Sequence, residues 1–121
     1  MDEISDQLKE SDISISPSAI ITCVGGGGLA TGILLGMEKN PGFWSDTALV
    51  CMETQGSDCL ARSLKEKKLV KLDKIATIAK SLGALAVTER LYQLATEKER
   101  VGPRVVPKVV SDQQALQACL E

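Results

Sequence analysis

A chain of 121 residues that is 44% hydrophobic and carries a formal charge of −2 has globular composition and the length for one modest core. Its 14 basic and 16 acidic residues leave no electrostatic footprint for nucleic acid. No apolar stretch approaches the roughly 18 residues that cross a bilayer, and no charged leader followed by an apolar core opens the chain, so a cytoplasmic protein without nucleic-acid or membrane partners is expected.

Met1, Ile4 and Leu8 fall at helical spacing, and Asp2, Glu3 and Asp6 favour the N-terminal end, which predicts a first helix ending between Lys9 and Ser11. Ser16-Pro17-Ser18 then leads into a β-branched apolar run over 19–24, a strand bounded by glycine. The helical pattern resumes at Leu29, with Leu29, Ile33 and Met37 on one face, and Asn40-Pro41-Gly42 stops it. Phe43 and Trp44 fall in the following loop, where they could cover a sheet edge; with Tyr92 they are the only aromatic residues, too few for a stacking platform.

Residues 47–52 read as a second strand, apolar on both faces as in a parallel sheet covered by helices. Right-handed crossover places it beside the first. Gly56-Ser57-Asp58 turns the chain into a helix through about Lys67, with Leu60 and Leu64 at i and i+4; Lys65-Glu66-Lys67-Lys68 is a solvated helix end. Residues 69–72 form a short loop or extended piece, and 75–79 fit either a strand or a short helix. Thr88 caps a helix running to about Glu99. Gly102-Pro103 breaks it, Val105–Val110 is a strand, and Ser111 with Asp112 opens a last helix carrying Leu116 and Leu120. The expected fold class is α/β: one domain with a parallel-sheet layer covered by helices.

The cysteines, Cys23, Cys51, Cys59 and Cys119, include no C-x-x-C pair, and histidine is absent, so neither a zinc site of the usual kind nor a catalytic triad can be assembled. Cys23 and Cys51 lie in predicted strands, where a thiol acts as a small hydrophobe.

The stretch with chemical potential is the run Gly25-Gly26-Gly27-Gly28 between first strand and second helix. Its N–H groups have no Cβ in the way, and the helix N-terminus behind them adds about half a positive charge. One reading is a dinucleotide site, in which Gly25-x-Gly27-x-x-Ala30 satisfies the glycine fingerprint and Glu53 binds a ribose. Another is a cup for a phosphate monoester, which uses all four glycines. The plainest is a tight turn with no ligand, against which stands the backbone entropy of surplus glycine, roughly 0.5–1 kcal/mol each.

Val24-Gly25-Gly26-Gly27-Gly28-Leu29, then Met52-Glu53-Thr54-Gln55-Gly56, then Ile75-Ala76-Thr77-Ile78-Ala79-Lys80-Ser81-Leu82-Gly83-Ala84, stand in an order and spacing that resemble the L-serine/L-threonine dehydratases, pyridoxal-phosphate enzymes of fold type II. The resemblance runs from the opening helix to Val110-Ser111-Asp112 and makes the dinucleotide reading the runner-up. It implies that residues 1–121 are an internal portion of the large, cofactor-binding domain. It also implies that Gly25, Gly26, Gly27, Gly28 and the amide of Leu29 hold the pyridoxal 5'-phosphate phosphate. A monovalent cation, K⁺, would sit on Glu53, Ser57, Leu82 and Ala84, joined by the Gly25 carbonyl. The implied chemistry is β-elimination on a small amino acid, serine going to pyruvate and ammonia, in a protein that is a homodimer at full length. The family's cofactor-linking lysine motif, its substrate-carboxylate loop and its late glycine-rich segment have no match here, so no catalytic residue is assigned to this segment and it is expected to be inactive alone. Lys80, beside Ser81-Leu82-Gly83, is read as a surface or helix-end charge.

Overall fold

The structure, a computed structural model, describes residues 1–97 and 102–121. In chain order it contains α1 (Asp2–Glu10), β1 (Ala19–Cys23), α2 (Gly28–Glu38), α3 (Pro41–Trp44), β2 (Ala48–Thr54), α4 (Cys59–Glu66), α5 (Glu89–Thr96), β3 (Val105–Val110) and α6 (Asp112–Leu120). The strands form one parallel sheet in the order β1-β2-β3. Parallel neighbours need a crossover, and α2 supplies it between β1 and β2.

Register decides which side chains enter the core. Ile20 lies opposite Leu49, and Leu49 opposite Val105; because side chains alternate along a strand, these three share a face with Cys51 and Glu53. That face meets Ala30 and Leu34 of α2, Cys59 and Leu60 of α4, and Leu91 and Leu94 of α5. The opposite face is less protected: Val50 and Met52 are half-buried, and Ile21 is 71% exposed. The expected strand apolar on both faces is therefore present, but the helices cover one of those faces more fully than the other.

Each helix has a local cause. Thr88 Oγ1 accepts from the Leu91 amide (3.3 Å) and starts α5 where the sequence places its cap. A capping box of Ser111 and Gln114 starts α6. Ser63, buried in α4, donates to the Cys59 carbonyl (2.6 Å) and accepts from the Val70 amide (2.9 Å), which binds 69–72 to the helix as a loop. The predicted end of α5 near Glu99 lies outside the described residues.

The structure corrects four expectations. Phe43 and Trp44 are not in a loop but in the helical turn α3, opened by Pro41 at its first position; Trp44 is buried, its ring edge-on to Phe43 at 4.7 Å. Residues 75–79 are neither strand nor helix. Cys23, expected as a small buried hydrophobe, is exposed because β1 is an outer strand and its last side chain points to the open face. The second strand runs past Met52 to Thr54, since Glu53 and Thr54 pair with Val109 and Val110. Among the described residues no helix is long and apolar enough to cross a membrane.

Burial pushes the Cys51 and Cys59 thiols up to about 11, with the nearby Glu53 carboxylate adding to the effect, whereas Cys23 and Cys119 are exposed. At pH 8 a thiol reagent is expected to label Cys23 and Cys119 rapidly and to reach Cys51 and Cys59 only after denaturation. Rapid native labelling of Cys51 or Cys59, read by peptide mass spectrometry, would contradict this packing.

Candidate functional site

The glycine run divides in two by what surrounds it. Gly27 is the residue before α2 and has φ +95°, a left-handed conformation that favours glycine. A Cβ there would also lie 2.5 Å from Cδ2 of the buried Leu91. A Cβ on Gly25 would overlap the Leu82 carbonyl oxygen. At Gly26 and Gly28 a Cβ would meet nothing within 4 Å, and both residues are exposed. The fold thus requires glycine at 25 and 27, and leaves open space at 26 and 28.

Among the described residues, no amide from Gly25 to Leu29 donates to a protein acceptor. The loop is nevertheless held from behind: Thr88 N donates to the Gly26 carbonyl (2.9 Å), Thr31 N to the Gly27 carbonyl (2.9 Å), and Val24 N to the Met52 carbonyl (2.9 Å). The first turn of α2 contains no acidic residue. Unpartnered N–H groups at the positive end of an 11-residue helix have the chemistry to hold an anion such as a phosphate monoester.

Behind the loop lies a set of oxygens. Glu53 is 1% exposed; its Oε1 accepts from the Leu60 amide (2.8 Å) and its Oε2 from the Ala61 amide (2.8 Å), both in the first turn of α4. Burial raises its pKa above the ordinary value, the Leu60 and Ala61 amides pull it back down, and the Asp58 carboxylate pushes it up. The Cys59 thiol stands 3.7 Å from Glu53 Oε1 and 4.0 Å from the Gly25 carbonyl oxygen, so it joins strand, glycine loop and helix. Ser57 is buried, and its Oγ has no hydrogen-bond partner; Gly83 packs on it closely enough that a Cβ would lie 2.5 Å from that oxygen. Leu82 turns its carbonyl to Gly25. Glu53, Ser57, Leu82 and the Gly25 carbonyl, far apart in the chain, are thereby linked through direct neighbours. Ala84 is half-buried in the same turn, and among the described residues no hydrogen bond joins it to the others. A buried hydroxyl left without a partner, on a residue near the Leu82-Gly83 turn in the chain's fold, is the kind of oxygen a hard cation takes.

Two further expectations are resolved by this geometry. The dinucleotide reading needs Glu53 on a ribose, but the carboxylate points into the core and caps α4, so it presents no acid to a ligand on the glycine loop. Lys80 is exposed, as expected for a surface charge. Sequence reasoning missed Cys59 as the bridge between Glu53 and Gly25, and Leu91 as the residue beneath Gly27. The six-residue step from Glu53 to Cys59, across a turn into a helix, was the signal for the first.

The family described as "Pyridoxal-phosphate dependent enzyme" matches residues 1–121. The chain is 39% identical to the L-serine dehydratase of Saccharomyces cerevisiae (strain AWRI1631), over 99% of this chain and 34% of that protein. It is 38% identical to the L-serine dehydratase/L-threonine deaminase of Mus musculus, over 93% of this chain and 32% of that one. A fungal L-serine ammonia-lyase from Rhizomucor miehei superposes with a TM-score of 0.78 at 34% identity, over 96% of this chain and 34% of that one. The chain thus spans about a third of the length of these relatives, and its parallel α/β fold is that of the fold type II pyridoxal-phosphate enzymes. With the family matched along its whole length, the chain belongs to the pyridoxal-phosphate dependent enzymes.

Proposed function

We propose that residues 1–121 are an internal portion of the large domain of a pyridoxal-phosphate-dependent L-serine/L-threonine ammonia-lyase, and that Gly25, Gly26, Gly27, Gly28 and Leu29 bind the cofactor phosphate. The observation that carries the reading is the open space at Gly26 and Gly28: these glycines answer no steric demand of the fold, and they sit among amides that lack acceptors. Pyridoxal phosphate, when bound, supplies the electron sink for the β-elimination that turns serine into pyruvate and ammonia. What this chain contributes is binding and orientation. Gly27 fixes the backbone turn on Leu91, and α2 directs its N-terminus at the phosphate. We also read Glu53, Ser57, Leu82 and Ala84, with the Gly25 carbonyl, as a site for K⁺; the orphaned Ser57 hydroxyl supports this. The setting is read as cytoplasmic, the substrate as a small amino acid and the full-length protein as a homodimer, as the resemblance to the dehydratases implies.

Gly28→Asp should leave the fold intact, because the space is open and an acid in a first helical turn is tolerated. It should weaken cofactor retention at least about a hundredfold, since like charges about 4 Å apart at an effective dielectric near 20 repel by ~4 kcal/mol. Gly27→Ala should instead lower stability itself, by about 1–2 kcal/mol for the left-handed conformation and more for the overlap with Leu91. Retention of the cofactor's visible absorption by the folded Gly28→Asp protein would refute the phosphate assignment.

In the whole protein, replacing K⁺ with tetramethylammonium is expected to lower turnover, and Glu53→Gln to flatten that difference; equal turnover in both salts would remove Glu53, Ser57, Leu82 and Ala84 from the site.

The 121 residues by themselves are expected to release no 2-oxo acid from L-serine and pyridoxal phosphate. Loss of an essential nucleophile or base costs several orders of magnitude, and Lys80, the lysine nearest the motif, is exposed. Sustained multiple turnover would assign the missing role to a lysine of this chain.

A further inference from the structure

The segment that sets the Leu82 carbonyl against Gly25 and Gly83 against Ser57 has no regular secondary structure of its own, so something outside it must hold it in place. Its anchors are side-chain bonds to α6. Asp112 Oδ1 accepts from Thr77 Oγ1 at 2.5 Å, and Asp112 Oδ2 accepts from the Ile78 amide at 3.1 Å. The Thr77 oxygen in turn accepts from the Ala79 amide at 3.1 Å. The Ala79 carbonyl then collects the amides of Leu82 (3.2 Å) and Gly83 (3.1 Å). On the other side, Ala76 N donates to the Gly56 carbonyl at 2.9 Å, next to Ser57. One carboxylate on α6 therefore begins a chain of bonds that ends at the Leu82 carbonyl and the Gly83–Ser57 contact. Asp112 has no need of these bonds to start its helix, because Ser111 and Gln114 already form the capping box.

We propose that Asp112 is a positioning residue for the cation site: through Thr77 and Ile78 it holds the 75–84 segment so that Leu82 and Ser57 face Glu53. This rests on the reading of those oxygens as a K⁺ site. Outer partners of this kind orient the ligating groups, and their loss typically costs about 10–100-fold in metal affinity.

The test measures the melting temperature of the intact protein as KCl replaces tetramethylammonium chloride at constant ionic strength, so that a ligand bound only by the native state appears as a saturable rise. Wild type is expected to show a K⁺-specific rise. Asp112→Asn, which keeps one acceptor oxygen, and Thr77→Val, which keeps the volume and loses the bridging hydroxyl, are expected to move the K⁺ midpoint upward by about tenfold or more. Ser111→Ala breaks the α6 cap without touching either Asp112 bond; it is expected to lower the melting temperature in both salts and leave the K⁺ midpoint where it was. Unchanged midpoints in Asp112→Asn and Thr77→Val would overturn the positioning role while the cation site stands. An equal shift in Ser111→Ala would reduce that role to general loosening and overturn it too. A wild type with no K⁺-specific rise would overturn the cation site itself, and the role of Asp112 with it.

Discussion

A carboxylate inside a sheet is the constraint on which the rest of this structure depends. Glu53 lies in the central strand and is 1% exposed, and burying an ionisable group without partners costs several kcal/mol at least. No lysine or arginine pairs with it among the described residues. Two main-chain amides of α4 do so instead, at the end of the helix where the dipole favours negative charge. The need to satisfy Glu53 therefore fixes where α4 begins and how it meets the sheet. It also sets Cys59 against the Gly25 carbonyl. Burial still prevails in raising the carboxyl's pKa, so the site favours any further positive partner for the ionised form.

The alternation of helix and strand was legible because its signals are local. Apolar spacing marked α2, α4 and the strands, Thr88 and Ser111 marked two helix starts, and β3 has the bounds its composition suggests. The turn α3 has a local cause in Pro41; the other failures depended on how separate elements meet. Residues 75–79 resist a local reading because Asp112, 34 and 35 residues away, fixes their conformation. The end of β2 was misplaced because a charge at a strand end looks like a surface residue until the α4 amides are known. Among the glycines, number and position were legible, but not which of them the fold needs; that depends on Leu82 and Leu91. The motif order identified Glu53, Ser57, Leu82 and Ala84 together only by resemblance, since no periodicity connects them.

The large apolar side chains left uncovered bear on stability. Ile21 is 71% exposed and Leu29 63%, Ile15 79% and Leu120 82%, and fully burying side chains of this size is worth about 1.5–3 kcal/mol each. Net stabilities of whole domains are only about 5–15 kcal/mol. A handful of uncovered positions is therefore comparable to the entire margin. A chain that spans a third of its relatives' length and exposes these side chains should be marginally stable or prone to associate when it stands alone.

Gly25 makes the two halves of the site one object. Its amide belongs to the unpartnered row of the glycine loop, while its carbonyl faces Cys59 and, beyond it, Glu53. Its missing side chain is what lets the Leu82 carbonyl approach. On the reading proposed above, a backbone shift at Gly25 moves a phosphate donor and a cation oxygen together, because both lie on one residue whose atoms are separated by fixed bond lengths. Close-packed interiors transmit such shifts instead of absorbing them. Occupancy of the oxygen cluster is for this reason expected to order the glycine loop from behind. The physical route is short: Leu82 to Gly25, and Gly25 to the start of α2.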